Sequence, residues 1–513
     1  MTSRLLALAV LCLAGCRFEG SPPPAPGLVK RAPYVGPQFE DVTARSGLGT
    51  DDPPAPDDGC DIATYMTRGG AVGDVDGDGH LDLVLPHPGG PDLLYLGTPS
   101  GFVLGELDGA NGAGALLFDA DGDGDLDLFV TSVGLFPPRF YDNDGGRFVE
   151  VDRGIEVGTD PNGCHHLFGA SAADFDGDGD LDLFTAAWVD ADGSRVFVND
   201  GRGHFTDASV RLGDAAREAA GLVPFPADLD DDGDIDFVLA SDFHYTRHYV
   251  GRGDGTFEDV TRTSTIPRIQ DAMSVAAGDV DLDGDLDLFF SGICHTVADT
   301  CNDAFNWTGN RLFLADGDDY EDATVETGAL DAGWAWGSAL FDADLDGDLD
   351  LAVTNGYDFL ARFERDPIDF FDNDGTGRFV ERAAEVGLDD DRQTRSVIPF
   401  DYDEDGDLDL LVLATDGPPR LYENHAEGRA LVVRLAQPGP NPYAIGARVF
   451  VELEDGRRLR RDLLRSSNYL SLGPPRLHFG LGESPVEGIE VTWPDGETQR
   501  VSYDGARSIT IER

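Results

Sequence analysis

Short apolar runs punctuate the chain, and seven of them are entered through the same pair, an aliphatic residue followed by aspartate. They read LDLVL from Leu81, LDLFV from Leu126, LDLFT from Leu181, IDFVL from Ile235, LDLFF from Leu286, LDLAV from Leu349 and LDLLV from Leu408. Apolar runs this short, bounded by turn residues, fit buried β-strands better than helices. Each run belongs to a group of four strand-like stretches. In the first group the others are GGAVGD from Gly69, DLLYLG from Asp92 and GFVLGEL from Gly101. Turns rich in Gly, Asn and Asp separate the third stretch from the fourth, as in YDNDGGRF, FVNDGRGHF, YVGRGDGTF and FDNDGTGRF, and these are hairpin signals. The pattern predicts an all-β chain of repeated four-stranded units.

The repeat is marked most clearly by an acidic nonapeptide, D-x-D-x-D-G-x-x-D, that runs into each apolar stretch. Its copies begin at Asp74, Asp119, Asp174, Asp228, Asp279, Asp342 and Asp401, spaced 45, 55, 54, 51, 63 and 59 residues apart. Such a period means a solenoid, a propeller or an array. Four-stranded units set around an axis make a β-propeller, which leaves only short edges. The seventh unit has RSVIPFD, LDLLVL and RLYEN but breaks off near Gly428 without a fourth strand. The missing strand is matched at the other end, where QFEDVT from Gln38 follows the pattern of HFTDAS and TFEDVT. The expectation is a seven-bladed β-propeller over residues 38–428, closed by its N-terminal strand.

The chemistry expected of the nonapeptide is calcium binding. Carboxylates at positions 1, 3 and 5 converge when the chain turns tightly, Gly at position 6 permits the turn, position 7 lends its backbone carbonyl and Asp at position 9 closes the shell. Oxygen ligands in a flexible loop suit Ca²⁺ better than Mg²⁺. An EF-hand loop starts alike but needs Glu at position 12, where this chain has Leu85 and Val130 in the first two copies. The candidate metal residues are Asp74, Asp76, Asp78, His80 and Asp82 in the first copy and Asp119, Asp121, Asp123, Asp125 and Asp127 in the second. The third has Asp174, Asp176, Asp178, Asp180 and Asp182, the fourth Asp228, Asp230, Asp232, Asp234 and Asp236. The fifth has Asp279, Asp281, Asp283, Asp285 and Asp287, the sixth Asp342, Asp344, Asp346, Asp348 and Asp350, and the seventh Asp401, Asp403, Asp405, Asp407 and Asp409. Up to seven Ca²⁺ are expected.

Charge agrees with this reading. The formal net charge is −61, and the nonapeptides alone carry 36 carboxylates. With 41% hydrophobic residues the chain has material for a packed core, so its acidity does not mean disorder. A surface this negative argues against nucleic-acid partners.

The first residues, MTSRLLALAVLCLAGC, place Arg4 before an apolar stretch too short to span a bilayer, and they read as a secretion signal over residues 1–15. Its Leu-Ala-Gly-Cys end resembles the bacterial lipobox. That resemblance implies cleavage before Cys16, lipidation of Cys16 and residence in a bacterial cell envelope, with the lipid as the membrane contact. Residues 16–37, with SPPPAPG from Ser21, read as a tether. Of the other cysteines, Cys294 and Cys301 bracket a short segment and are expected to pair, leaving Cys60 for Cys164. Catalytic or metal-binding thiols are the weaker alternative, since no CxxC spacing occurs.

The DxDxDGxxD loops with their NDGxGxF hairpins resemble the FG-GAP/VCBS repeats of integrin α-chain propellers and of many bacterial secreted proteins. That resemblance implies that each loop joins the first and second strands of a blade and holds Ca²⁺. After Gly428 the composition changes: residues 429–513 hold 12 Arg and 11 acidic residues. The runs ALVVRL, ARVFVEL, LHFGL, GIEVTW and SITIE predict a second, sandwich-like all-β domain. AIGARV, SSNYLSLGPPRLHFGLG and VTWPDGETQRV resemble the ASPIC/UnbV domain that follows such repeats in relatives of cartilage acidic protein.

In a propeller the calcium loops and the third-to-fourth hairpins share one face. The opposite face receives most of the unusual residues, and its candidate ligand-binding residues are His165, His166, Trp188, Tyr245, Arg247, Trp307, Trp334, Trp336 and Tyr357. Each has a plain structural alternative. Trp334 and Trp336 alternate, so one is as well explained by packing between blades. His165 and His166 are neighbours in a strand and point oppositely. Arg252-Gly253-Asp254 falls in a Gly-rich hairpin and is a turn before it is an integrin ligand. Asn306-Trp307-Thr308 spells a glycosylation sequon that bacteria usually leave unused. No Ser/His/Asp arrangement, phosphate loop or second metal motif stands out in the sequence. The reading is a monomeric, calcium-stabilised binding or adhesion protein with a glycan or protein ligand, rather than an enzyme. A propeller hydrolase or lyase and a structural envelope component are the alternatives.

Overall fold

A computed structural model of the chain describes residues 36–49, 60, 66–188, 193–213, 216, 219–242, 245–266, 269–293, 309–317, 319–330, 333–358, 361 and 363–513. The signal segment, most of the tether and Cys16, Cys294, Cys301 and Trp307 lie outside them. The described structure is predominantly all-β, with many small sheets and Asp-rich loops.

Seven sheets carry the repeats. In the sixth the strands Ala335–Phe341, Asp350–Asn355, Asp369–Asn373 and Phe379–Glu381 run in chain order, each antiparallel to the next. The register of the first two strands is the same in every repeat: the residue before each nonapeptide faces the aspartate that ends it. The pairs are Gly73 with Asp82, Phe118 with Asp127, Ala173 with Asp182, Ala227 with Asp236, Gly278 with Asp287, Phe341 with Asp350 and Phe400 with Asp409. The second strands are buried along their length, as expected of continuous apolar runs with both faces covered.

The seventh sheet takes its fourth strand from the N-terminal region, with Glu40 opposite Glu423 and Asp41 opposite Tyr422. A one-turn helix follows, Thr43–Ser46, ended by Gly47 at φ 88°. The fourth strands of the fifth and sixth sheets end likewise, in Thr324–Thr327 with Gly328 and in Ala383–Val386 with Gly387. These single turns were not legible as helices, because four residues carry no 3.6-residue period. First strands of consecutive sheets pack against one another, and Gly70–Gly73 also touches Thr394–Phe400.

Residues 429–513 form two further sheets. One joins Leu477–Gly480, Ala430–Ala436 and Ser508–Glu512; the other joins Arg458–Asp462, Arg448–Leu453, Val486–Thr492 and Thr498–Val501. They belong with the repeats to one compact unit, Gly36–Arg513. Ser471–Leu472 runs parallel to Gly70–Ala71 and extends the first repeat sheet. One apolar cluster includes Leu117 and Leu128 of the second repeat together with Val449, Phe479 and Trp493. Cys60 and Cys164 form a disulfide, with Cα atoms 6.0 Å apart.

Candidate metal centres

Each nonapeptide turns on two residues with positive φ. Position 6 is always Gly, at 94–109° in the extremes Gly233 and Gly347. Position 4 is Gly77, Gly122 or Gly177 in the first three loops, but Asp231, Leu282, Leu345 and Glu404 hold the same conformation at 60–64° in the others. A non-glycine residue is uncommon there and needs local compensation. The carboxylate of position 1 accepts the position 6 N–H across the turn, as from Gly124 to Asp119 at 2.9 Å and from Gly179 to Asp174 at 2.9 Å.

The turn gathers positions 1, 3 and 9. Oxygens of Asp119, Asp121 and Asp127 lie within 4.8 Å of one another, and so do those of Asp174, Asp176 and Asp182, of Asp228, Asp230 and Asp236, and of Asp279, Asp281 and Asp287. In the first loop the gathered trio is Asp74, Asp76 and Asp78. Every loop also holds a buried carboxylate oxygen with no hydrogen-bond partner: on Asp74, Asp121, Asp176, Asp228, Asp279, Asp342 and Asp401. Buried carboxylate oxygens need a partner. Several loops are therefore Asp-rich clusters with the donor set of a hard, oxygen-bound cation, consistent with calcium-binding loops.

Position 9 binds the loop to the sheet as well. Asp127 accepts Ala120 N–H at 3.1 Å and Asn143 N–H at 2.9 Å; Asp350 accepts Ala343 N–H at 3.1 Å and Asn373 N–H at 2.9 Å. Position 5 accepts the position 7 N–H, as from Asp234 to Asp232 at 2.9 Å. In three loops the position 7 side chain reaches the chain that follows the third strand: Asp125 accepts Gly145 N–H, Asp285 accepts Gly317 N–H and Asp407 accepts Ala426 N–H. His80 at that position meets Glu404 of the seventh loop, Nδ1 to Oε1 2.8 Å. These hydrogen bonds brace the loops.

Burial raises the proton affinity of the clustered carboxyls. At position 9 burial pushes Asp82 up to about 6, Asp127, Asp236 and Asp287 to about 8 and Asp182 to about 9; backbone hydrogen bonds oppose the rise and neighbouring loop carboxylates add to it. Asp350 and Asp409 go well above the ordinary value for the same reason. At position 1 burial brings Asp119, Asp174, Asp228 and Asp401 to about 6 and Asp279 and Asp342 to about 7.

The C-terminal segment packs onto these loops. Arg448 is 3.3 Å from Asp228, Arg460 is 3.0 Å from Asp231, Arg457 donates to Asp346 O at 2.6 Å and Tyr443 donates to Gly124 O at 2.8 Å. Gly480 N–H donates to Asp342 at 2.8 Å. Two of the non-glycine position 4 residues find their compensation here: Asp231 takes Arg460, and Leu345 lies under Gly428 and Gly480 while its carbonyl accepts Gly482 N–H at 2.9 Å. Deeper in, Arg465 is fully buried and donates to the carbonyls of Leu117 and Gly473, and Tyr469 donates to Met66 O at 2.6 Å. The arginine-rich composition of residues 429–513 was the one sequence signal for this interface.

At the strand ends away from the loops stand most of the other candidates. Trp188 donates to Asp242 at 2.9 Å, Trp334 stacks on Tyr357 with ring centroids 4.2 Å apart, Arg247 begins its strand half-buried, and Tyr245 is exposed. Trp336 does not face out: it is 1% exposed, donates to Gly356 O at 2.8 Å and packs under Arg395 and against Tyr469. His165 and His166 are buried, with His165 Nδ1 3.0 Å from Gly158 O and His166 3.7 Å from Asp160. In the Arg252-Gly253-Asp254 hairpin the aspartate accepts Thr256 N–H at 3.1 Å, closing a turn.

Two family descriptions match this chain. An FG-GAP-like repeat matches residues 119–185, 174–237, 228–290 and 357–412, and ASPIC and UnbV matches residues 437–511. Cartilage acidic protein 1 of Mus musculus is 24% identical over 315 residues, covering 59% of this chain and 38% of that protein. The Xenopus tropicalis protein of that name is 24% identical over 262 residues, covering 48% of this chain and 38% of its own length. The chain thus spans well under half the length of these relatives. A solved Agrocybe aegerita lectin that recognises non-reducing terminal N-acetylglucosamine aligns over 74% of this chain and 94% of its own, at 18% identity and a TM-score of 0.40; that score is too low to bear on function. The chain carries FG-GAP repeats followed by an ASPIC/UnbV domain, an architecture weakly related to the cartilage acidic protein family. The comparisons transfer no catalytic residue onto it.

Proposed function

We propose that this chain is an exported, lipid-anchored binding protein. Residues 38–428 form a seven-bladed, calcium-stabilised propeller, residues 429–513 cap its calcium face, and the opposite loops meet an extracytoplasmic glycan or protein. Support for the propeller comes from the N-terminal strand on the seventh sheet and from the contact between Gly70–Gly73 and Thr394–Phe400. The observation that carries the binding reading is segregation. The Asp loops are taken up by metal chemistry and by the C-terminal segment, while Trp188, Tyr245, Trp334 and Tyr357 stand at the other strand ends. Trp, Tyr and Arg dominate interfaces, and aromatic faces also stack on sugar rings.

The test is a glycan and peptide array probed with the mature chain in calcium. Trp188→Ala, Tyr245→Ala and Trp334→Ala are expected to weaken a hit at least about tenfold, roughly the loss of 1.4 kcal/mol, while the calcium-dependent melting transition stays in place. Binding that maps to the Asp loops or to residues 429–513 overturns the reading. Anchoring rests on the lipobox resemblance at Cys16. Cys16→Ala is expected to abolish lipid labelling, and normal labelling of that variant refutes the anchor.

A further inference from the structure

Tyr469 holds its backbone at φ 116°, a conformation that glycine adopts freely and a bulky side chain rarely. Such strain persists only where the surroundings over-determine it, and it gathers at functional sites. The residues flanking Tyr469 are fixed in this way. Ser466 Oγ donates to Pro226 O at 2.9 Å, Asn468 Nδ2 donates to Val397 O at 2.8 Å, and Ser471 Oγ accepts Gly70 N–H at 3.0 Å. Arg465 O accepts Ala172 N–H at 3.0 Å, and Leu470 O accepts Ala115 N–H at 3.4 Å. All these partners stand on first strands of the repeats. Gly69 admits the segment, since a Cβ there would lie 2.2 Å from Leu470 O.

Glycine would relieve that backbone but would bring no ring, and the ring is what the position supplies. Tyr469 is fully buried, and its hydroxyl donates to Met66 O at 2.6 Å. Its ring meets two aromatic side chains of different repeats, Trp336 of the sixth at 5.5 Å and Phe168 of the third at 6.5 Å between centroids. From Trp336 the contacts run to Tyr357 at 6.0 Å, which stacks on Trp334 at 4.2 Å. From Phe168 they run to Trp188 at 6.3 Å. Trp188, Trp334 and Tyr357 are half-buried against this one cluster. Aromatic pairs at these separations prefer particular geometries, and close-packed interiors pass displacements on. We propose that Tyr469 is a positioning residue of the aromatic face, setting the spacing between Trp188 and the Trp334–Tyr357 pair. The proposal rests on the reading that these residues meet the ligand. Tyr469 is buried and touches no ligand itself; it acts through Phe168 and Trp336, so a loss on its substitution does not place the ligand on residues 429–513.

Fluorine NMR of the mature chain labelled with fluorotryptophan tests the link. Its five tryptophan signals are assigned by single Trp→Phe variants. Tyr469→Leu is expected to move or split the Trp188 and Trp334 signals while that of Trp493, which packs in a separate cluster, stays in place. Tyr469→Phe keeps the ring and is expected to hold both signals near their native positions. Each variant is first checked for a cooperative melt, because a loss of stability alone lowers Tm without moving the signals of the folded state. If Tyr469→Leu does not fold, Trp336→Phe decides: it leaves the segment intact and is expected to move the Trp188 signal across Tyr469, and an unmoved signal overturns the proposal. Unmoved Trp188 and Trp334 signals in a folded Tyr469→Leu overturn it likewise. On the glycan and peptide array, a hit that Trp188→Ala and Trp334→Ala weaken is expected to fall at least about threefold in Tyr469→Leu, through lost preorganisation, and to be kept in Tyr469→Phe. A hit equally strong in Tyr469→Leu also overturns the proposal. Moved signals without any such hit sink the binding reading and leave the positioning intact; such a hit with unmoved signals does the reverse.

Discussion

Asp182 has its carboxylate oxygens on backbone N–H groups of two segments, Phe175 at 3.2 Å and Asn199 at 2.8 Å, and burial pushes it up to about 9. Asp127, Asp236 and Asp287 stand near 8 for the same reason. These values belong to metal-free loops. A carboxyl whose folded value is raised contributes stability that is present below its unfolded value near 4 and is lost as pH rises through the folded value. The metal-free protein is therefore expected to lose stability progressively from about pH 4 to about pH 9. With calcium the carboxylates are held ionised, protons compete with the metal, and the trend reverses. At about ten times Kd each site adds roughly 1.4 kcal/mol, so several sites together rival the whole stability of an ordinary domain. Chelation at neutral pH should lower Tm by on the order of 10 °C, with Ca²⁺ restoring it better than Mg²⁺. Melting curves that coincide with and without chelator, or metal-free and calcium-loaded curves with the same pH slope, contradict this account.

Between elements, the asparagine of the NDG hairpins links neighbouring sheets. Asn143 Nδ2 donates to Val75 O of the previous repeat at 2.8 Å and to Leu126 O of its own at 3.1 Å. Asn199 and Asn373 repeat the pattern onto Ala120 and Val280, and Asn424, which is followed by His425-Ala426 and not by Asp-Gly, makes the same link onto Ala343. Tyr320 does the same in the fifth repeat through its hydroxyl, to Leu229 O and Leu286 O. Gly97 and Gly251, which occupy this place in the first and fourth repeats, have no side chain to offer. Asn424→Ala strands two buried carbonyls and is expected to cost roughly 1–3 kcal/mol in denaturant unfolding without changing calcium stoichiometry. A loss below about 0.5 kcal/mol, the range of an ordinary surface change, removes the link from the account. The hairpin was legible from Asn-Asp-Gly because turn chemistry is local. The link was not, because its acceptor belongs to another repeat.

For the molecule as a whole, the proposed ring is joined by a few residues near its N-terminus. Phe39 N–H donates to Val386 O at 2.7 Å, Val42 N–H to Leu421 O at 2.9 Å, and Thr43 Oγ1 accepts Leu421 N–H at 3.0 Å. Removing residues 38–43 opens the edge of the seventh sheet and uncovers Leu421 and Tyr422, which are buried. Lower Tm and self-association, read by light scattering, are expected, since an open strand edge invites pairing. Removing residues 17–35 should leave both unchanged. Equal stability and a monomeric state in both truncations argue against closure by this strand.

The β character, the repeat and the clustering of carboxylates in the Asp loops were legible from the chain, because each is written in contiguous residues. An apolar run of strand length, a glycine where the chain turns and carboxylates at alternate positions act within nine residues. The pairing of QFEDVT with the seventh unit was also legible, since the strand carries its own pattern wherever it stands. Tertiary structure decided what depends on residues far apart in the chain. It packed Trp336 under Arg395 while leaving Tyr245 exposed. It also set the arginines of residues 429–513 against the Asp loops. Ion pairs of this kind carry no local signal: Arg460 and Asp231 are 229 residues apart and meet only after both sheets have formed.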